Sequence, residues 1–247
     1  MYKNCPKCRA DSAGQAACPA CGLIFAKYLK ARFAVPQARP QQPSDVPDEE
    51  SFWSRAKQLA LYVPDELSSA TVYGRAVLLV LAAAYGVHLV MMDIPDWEMS
   101  ASLMHLVLLP FHEFGHILFM PFGEFMMLLG GSLFQVMLPL LLGGYFLVRN
   151  RDPFAASLML WWAAAGILDT APYIYDAWEP QHVLLTGRTG DTGAHDFIDT
   201  LGDLGLLHRA QALGRATHAF GVLVMLAALA WGACLLWRQR QAAEQSQ

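Results

Sequence analysis

Residues 101–120 read ASLMHLVLLPFHEFGHILFM, an apolar run that contains His112, Glu113 and His116. The run is long enough to lie across the hydrocarbon core of a bilayer. Ionisable side chains are costly in that setting and usually serve a function. Residues four apart share one face of a helix, so His112 and His116 can present two imidazoles to one ion. The stretch therefore predicts a metal-binding helix within a membrane.

Glu113 adds a chemical role to the histidine pair. It lies roughly 100° around the helix from His112, at the rim of the same site. A carboxylate there suits a general base that acts on a zinc-activated water. A bound zinc ion would also pair with groups that are otherwise costly in lipid. His105 lies seven residues before His112 on a similar face, and we expect it to support the site rather than to bind the metal.

The composition is that of a membrane protein. Of the 247 residues, 55% are hydrophobic and 15% are charged, which is more apolar than an average soluble domain. The net charge of −4 argues against nucleic acid as a partner. The predicted fold class is all-α and polytopic, with about four to six transmembrane or re-entrant helices. The predicted spans are 76–92, 101–120, 132–148, 153–177 and 216–237.

The N-terminus carries a second metal motif. Two CPxC pairs supply Cys5, Cys8, Cys18 and Cys21. Thiols stay reduced in the cytosol, so such pairs indicate zinc rather than disulfides. Four thiolates leave no open coordination position, and the site is therefore predicted to be structural. Residues 1–33 resemble the short zinc ribbons that open many bacterial proteins.

The rest of the chain divides by composition. Residues 34–50 are rich in proline and predict a disordered linker. Residues 51–70 combine aromatic with basic side chains and predict a helix lying on the membrane surface. Residues 71–240 form the predicted membrane-embedded domain. The N-terminus lacks the apolar core of a signal peptide. We therefore expect a multi-pass protein of the bacterial inner membrane with a cytosolic N-terminus.

The basic residues conflict with five complete crossings. Arg75, Arg149–Arg151 and Arg238–Arg240 should all face the cytosol under the positive-inside rule. Five crossings cannot satisfy all three groups. One solution is that residues 101–131 enter and leave on the same side, with the Gly/Pro-rich stretch 121–131 as a break. Irregular backbone is tolerated at that depth only where protein or a water-filled cavity covers it.

The HExxH motif, the Gly-rich stretch and an aspartate in a later helix resemble the site-2 proteases, which are intramembrane zinc metalloproteases. The resemblance covers residues 101–177. It implies that His112 and His116 bind zinc and that Glu113 is the base. The family's third ligand is an aspartate, often in an LDG sequence, and it corresponds to Asp169 here. Thr170 replaces the glycine, and the proline follows rather than precedes.

Two alternatives to Asp169 stay open. Asp176 lies seven residues later, on a similar face if Pro172 does not break the helix. His195 and Asp196 could fold back over the site from the polar segment before the last span.

The resemblance also implies a substrate-contacting amide on the next helix. Gln135 follows Gly130 and Gly131, so Gln135 and Gly131 are the predicted substrate-binding residues. The stretch 121–131 would then be a membrane hairpin that receives the substrate by strand addition. The alternative is that the glycines permit close helix packing while Gln135 bonds a neighbouring helix.

The function expected is hydrolysis of peptide bonds in membrane-spanning or membrane-proximal substrates. It would use one catalytic and one structural zinc ion. The expected partners are the lipid bilayer, a membrane-protein or peptide substrate, and a cytosolic protein that binds the ribbon. The alternatives are a non-catalytic zinc-binding scaffold or assembly factor and a metal transporter, and the general base Glu113 favours hydrolysis over both.

Overall fold

The computed structural model describes residues 2–32, 51–64, 67–185 and 187–245. The predicted linker at 34–50 lies outside the described residues. The chain forms two compact units, Met1–Ser51 and Phe52–Gln247. The described residues form eight α-helices and no strand longer than an isolated bridge.

The N-terminal unit is built from two similar turns followed by helix α1 (Phe25–Arg32). The amide of Cys5 donates to the carbonyl of Ala10 over 2.9 Å, and that of Cys18 donates to Leu23 over 3.0 Å. The residue after the second cysteine of each pair is left-handed, with φ of 62° at Arg9 and 73° at Gly22. The same backbone turn is therefore used twice to collect the four thiols.

The second unit is a bundle of helices. Five of its helices or helical segments are long and apolar enough to cross a membrane, which confirms the all-α membrane class. The helices are α2 (Phe52–Ala60), α3 (Ser69–Val90), α4 (Leu103–Phe119), α5 (Glu124–Val148), α6 (Pro153–Asp176), α7 (Asp196–Asp203) and α8 (Ala210–Gln245). Helix α6 packs against both α5 and α8. It is the most buried of the five apolar helices, with 61% of an 18-residue apolar stretch buried inside the protein.

The predicted break at 121–131 is wrong for most of its length. The interruption is confined to a 3₁₀ turn at Met120–Phe122 and to Gly123, whose φ is 97°. Helix α5 then runs without a break from Glu124 through both glycines. Because its backbone groups are paired within the helix, this segment is not a strand-accepting hairpin, which was one of the two alternatives that the sequence left open.

The glycines serve helix packing instead. A Cβ on Gly115 of α4 would lie 2.3 Å from the carbonyl oxygen of Gly130, and one on Gly130 would lie 2.8 Å from that of Gly115. The two helices therefore approach backbone to backbone. Such contact between small residues is a common way to join helices in membranes, and it sets α4 beside the first part of α5.

All three arginine groups lie at one end of the bundle. Arg75, near the start of α3, forms a 2.8 Å ion pair with Asp152, the N-cap of α6. Asp152 ends the short connection between α5 and α6, and this connection carries Arg149 and Arg151. The late part of α8 reaches the same end, since a Cβ on Gly232 would contact both Leu79 and Ser157. Helices α3, α5, α6 and α8 therefore alternate in direction.

Helix α4 does not reach that end. Its first turn lies beside the end of α3, where the Met104 amide donates to the Tyr85 hydroxyl over 3.0 Å. Its last turn packs on Gly130, early in α5, whereas Gly143 later in α5 lies beside the start of α6. Helix α4 thus begins and ends in the half of the bundle away from the arginines, which removes the conflict seen in the sequence.

Candidate metal centre

Helix α4 presents both histidines of HEFGH with a fixed tautomer. The Nδ1 of His116 lies 2.8 Å from the carbonyl oxygen of Met127, and that of His112 lies 3.1 Å from Oε1 of Gln135. Both partners are acceptors, so each Nδ1 carries the proton. Each Nε2 then keeps its lone pair, which is the state that binds a metal.

The third donor is Asp196. Its Oδ2 lies 3.3 Å from Nε2 of His112 and 3.4 Å from Nε2 of His116. Two ligands of a tetrahedral zinc with bonds of about 2.0–2.2 Å stand about 3.3–3.6 Å apart. Asp196 is therefore spaced from both imidazoles as ligands of one zinc ion are. The donor atoms of all three side chains lie within 4.8 Å of one another, and together they could hold a metal ion.

Gly131 makes space for this cluster. A Cβ at this position would lie 2.6 Å from Nε2 of both His112 and His116. Any larger residue would therefore place its side chain against the two metal-binding nitrogens. The glycine keeps clear the region where an ion bridging the imidazoles would be held.

Gln135 contacts His112 on the side of the ring away from Asp196 and is only 2% exposed. Its amide nitrogen donates to the carbonyl of Gly166 (3.0 Å) and to Oγ1 of Thr170 (2.9 Å), with Asp169 Oδ2 at 3.3 Å. These acceptors turn Oε1 towards His112. Both polar atoms of Gln135 are thus engaged within the protein, as expected if this residue bonds a neighbouring helix. Contact of Gln135 or Gly131 with a substrate stays a prediction.

The expectation that Asp169 is the third ligand does not fit this arrangement. Asp169 lies on α6, and its Oδ1 is 2.8 Å from Nδ1 of His105. His105 lies on α4, two turns before His112. The side chain is 7% exposed, and its charge is compensated by His105 and by the Gln135 amide. Asp169 therefore belongs to a buried polar network beside the histidine pair rather than to the pair itself.

Asp196 reaches the site because the chain folds back after α6. His195 caps α7, and its Nδ1 accepts from the amides of Phe197 (3.2 Å) and Ile198 (3.4 Å). The amide of Asp196 donates to the Tyr173 hydroxyl over 3.2 Å. Both contacts fix the first turn of α7, so the carboxylate at its start is held towards α4.

Asp176 and His195 stabilise the connection between α6 and α7 and are not part of the metal site. Helix α6 continues through Pro172 to Asp176, whose Oδ1 accepts from the amide of Gln181 over 3.0 Å. Its Oδ2 lies 3.7 Å from Nε2 of His195, and both side chains are almost completely buried. The two residues therefore position the loop and the start of α7, and they leave Asp196 as the donor that faces the histidines.

The electrostatics of Asp196 match its place. Burial on its own would raise the pKa of this carboxyl, but the hydrogen bonds that His112 and His116 donate from Nε2 when their rings are protonated outweigh burial. The pKa of Asp196 is consequently held well below its usual range. The carboxylate stays ionised at neutral pH, as a metal ligand must be.

A cavity of about 650 Å³ opens beside the three ligands. Glu113 is exposed and lines it, together with Ser132, whose buried hydroxyl has no hydrogen-bond partner among the described residues. Trp97 and the Val183–Leu185 loop form other parts of its wall. The predicted base, the ligands and a free buried hydroxyl therefore share one space.

The cysteine cluster in the other unit is closed. Its thiols Cys5, Cys8, Cys18 and Cys21 could hold a metal ion. Sγ of Cys5 lies 3.7 Å from that of Cys21, and Sγ of Cys8 lies 3.5 Å from that of Cys18. Ligands of a tetrahedral zinc with bonds of about 2.3 Å stand about 3.8 Å apart. Although burial raises the pKa of Cys5, hydrogen bonds from the amides of Cys8 and Lys7 and from nearby thiols lower it to about 6.

Comparison of the chain with protein-family models, with curated proteins and with solved structures gave no match. The function is therefore argued from the geometry of the site.

Sequence reasoning missed two supports of the centre. Tyr173 holds the amide of Asp196, and the carbonyl of Met127 holds His116. A backbone carbonyl leaves no signal in a sequence. Tyr173 follows Pro172 in the APY stretch after Asp169, and an aromatic hydroxyl in an apolar helix needs a partner when it is buried.

Proposed function

We propose that the chain is an intramembrane zinc metalloprotease that hydrolyses peptide bonds in membrane-spanning or membrane-proximal segments. The carrying observation is the convergence of the two Nε2 atoms and the Asp196 carboxylate beside a cavity that also holds Glu113. The proposed setting is the bacterial inner membrane. The cysteine cluster would hold a second, structural zinc ion in a ribbon that binds a cytosolic protein.

The donor set fits a catalytic rather than a structural ion. Structural zinc sites use four protein ligands, whereas catalytic sites use three and keep one position for water or substrate. Among the described residues, the group around His112 has three members, and the cavity adjoins it. Zinc in such a site lowers the pKa of bound water to about 7 and polarises a carbonyl group.

The side chains around the ligands have distinct tasks. Glu113 takes a proton from the attacking water and delivers it to the leaving amine, as a general base and then a general acid. Gln135 and the carbonyl of Met127 keep both imidazoles in the tautomer that leaves Nε2 free. Ser132 offers its buried hydroxyl to a carbonyl oxygen of the bound peptide, because that hydroxyl lines the cavity without a partner in the described chain.

The proposal is tested with Glu113→Gln, which keeps the size of the side chain and removes the base. New protein N-termini are mapped by mass spectrometry in cells that express the parent or the variant, so no substrate needs to be known in advance. Glu124→Gln is the matched control, since Glu124 is an exposed carboxylate at the start of α5. General acid–base catalysis contributes typically about 10²–10⁴-fold, so cleavage products should fall by at least about 100-fold with Glu113→Gln alone.

Equal cleavage by the parent and Glu113→Gln, at equal protein levels, would show that Glu113 is not the base. Bound zinc is measured on the same purified samples. Zinc at the membrane site should be retained by Glu113→Gln, because the carboxylate is not among the three converging ligands.

A further inference from the structure

The second unit has a strong asymmetry of basic charge along the bundle. Helix α2 lies at the arginine end, since the Trp231 indole N–H donates to the carbonyl of Ala60 over 2.8 Å and Trp231 precedes Gly232, which lies beside Leu79 of α3. The basic residues of this end are Arg55, Lys57, Arg75, Arg149, Arg151, Arg238 and Arg240. The remaining ones after residue 51 are Arg188, Arg209 and Arg215.

The cavity of the metal centre lies towards the opposite end. Its wall includes Trp97 and Ser100, from the connection that follows α3, and Val183–Leu185 and Ala194, from the connection that follows α6. Helices α3 and α6 both start at the arginine end, where Arg75 pairs with Asp152. The connections that follow them therefore lie at the far end of the bundle.

The far end is acidic outside the cavity. The connection after α3 carries Asp93, Asp96 and Glu98 and no lysine or arginine. Under the positive-inside rule, the loops rich in lysine and arginine stay in the cytosol, and the rule counts basic rather than acidic residues. Seven basic residues at one end and three at the other assign the arginine end to the cytosol.

We propose that the metal-binding cavity opens towards the non-cytosolic face of the membrane. Its ligand would be an apolar peptide segment that is reached from that face, such as the outer end of a transmembrane helix or a chain just translocated. The identity of the ligand as a substrate rests on the proposed protease function, whereas the direction of the opening rests only on the bundle.

The wall of the cavity mouth fits an apolar chain. Val183 and Leu185 are 69% and 67% exposed, and Val183 forms an isolated bridge with Thr189. Trp97 adds an aromatic surface to the same wall. Ligand cavities lined by apolar and aromatic side chains suit apolar ligands.

Cysteine labelling tests the direction without any need for activity. Val183→Cys and Leu185→Cys report the cavity mouth, and Asn150→Cys, exposed between Arg149 and Arg151, reports the other end. Each is made in the full-length chain with Cys234→Ser, and labelling is measured against that parent. A membrane-impermeant maleimide is added to intact spheroplasts and, separately, to permeabilised ones.

We expect the Val183 or Leu185 variant to be labelled in intact spheroplasts at least about tenfold above the parent, and the Asn150 variant only after permeabilisation. Labelling of Asn150→Cys in intact spheroplasts would overturn the proposal. The same holds if both mouth variants react only after permeabilisation. A protein without protease activity can still show the expected labelling, and an active protease can show the reverse, so the two proposals fail separately.

Discussion

The cysteine cluster takes its four ligands from residues 5–21, whereas the membrane cluster joins His112 to Asp196, 84 positions later in the chain. In the first, two copies of one turn bring the thiols together through local backbone hydrogen bonds. In the second, one helix supplies both histidines, and the aspartate comes after α5, α6 and a long connection. A local motif can be recognised from spacing alone, whereas a ligand brought by a fold-back cannot.

The clusters also differ in how much they close around an ion. The four thiols could fill all positions around a tetrahedral ion, and Cys5 and Cys18 are buried. The membrane cluster has three converging ligands and adjoins a cavity. The first arrangement suits an ion that stabilises a small fold, and the second suits an ion that acts on something bound beside it.

The largest expected effect concerns the ribbon. Structural zinc contributes about 10–16 kcal/mol of apparent binding free energy to such small domains, so Cys18→Ser should unfold residues 2–32 and remove one zinc ion per chain. Hydrogen exchange followed by mass spectrometry should show lost protection there and unchanged protection in α3–α8. Cys234→Ser is the control, since Cys234 is an exposed thiol outside both clusters. Retained protection of the ribbon in Cys18→Ser would contradict the local, metal-dependent fold.

The second expected effect is a difference in zinc affinity between variants of Asp196 and Asp169. Asp196→Ala should weaken zinc binding at the membrane site by at least about 100-fold, because it removes a ligand, and losses from outer partners alone reach about 10–100-fold. Asp169→Ala should weaken it by less than about tenfold, below the range for direct partners of a ligand, since among the described contacts Asp169 reaches His112 through Gln135. Zinc affinity is measured by chelator competition on purified protein with an intact ribbon. The reverse order of the two variants would restore Asp169 as the ligand.

The smallest expected effect on zinc affinity comes from steric crowding at Gly131 and not from loss of a ligand. Gly131→Ala places a methyl group 2.6 Å from both Nε2 atoms, and their Nδ1 contacts limit how far the rings can move aside. We expect about a tenfold loss of zinc affinity. Gly144→Ala on the same helix meets nothing within 4 Å and should leave the affinity unchanged. A thermal unfolding curve of each variant distinguishes lost binding from lost folding, and equal zinc affinities for both would place the ion away from Gly131.

Much of the fold could be predicted because apolar run length reports on membrane helices directly. Helix α6 (Pro153–Asp176) matches the predicted 153–177 span almost residue for residue. The break predicted for 121–131 is confined to the residues around Gly123, because glycine has two uses that a sequence does not separate. At Gly123 it permits a positive φ, whereas at Gly130 it permits contact with the backbone of α4.

The sequence by itself determined the local parts of this protein. It placed four thiols at the spacing of two turns, and it set His112 and His116 one turn apart on an apolar helix. Only the tertiary structure decided which of Asp169, Asp176 and Asp196 converges on the two histidines, and it turned Gln135 inwards to His112. The physical reason is separation along the sequence, since helical periodicity fixes only which residues within a few positions lie on one face. The partner of a helix face depends on how distant segments pack.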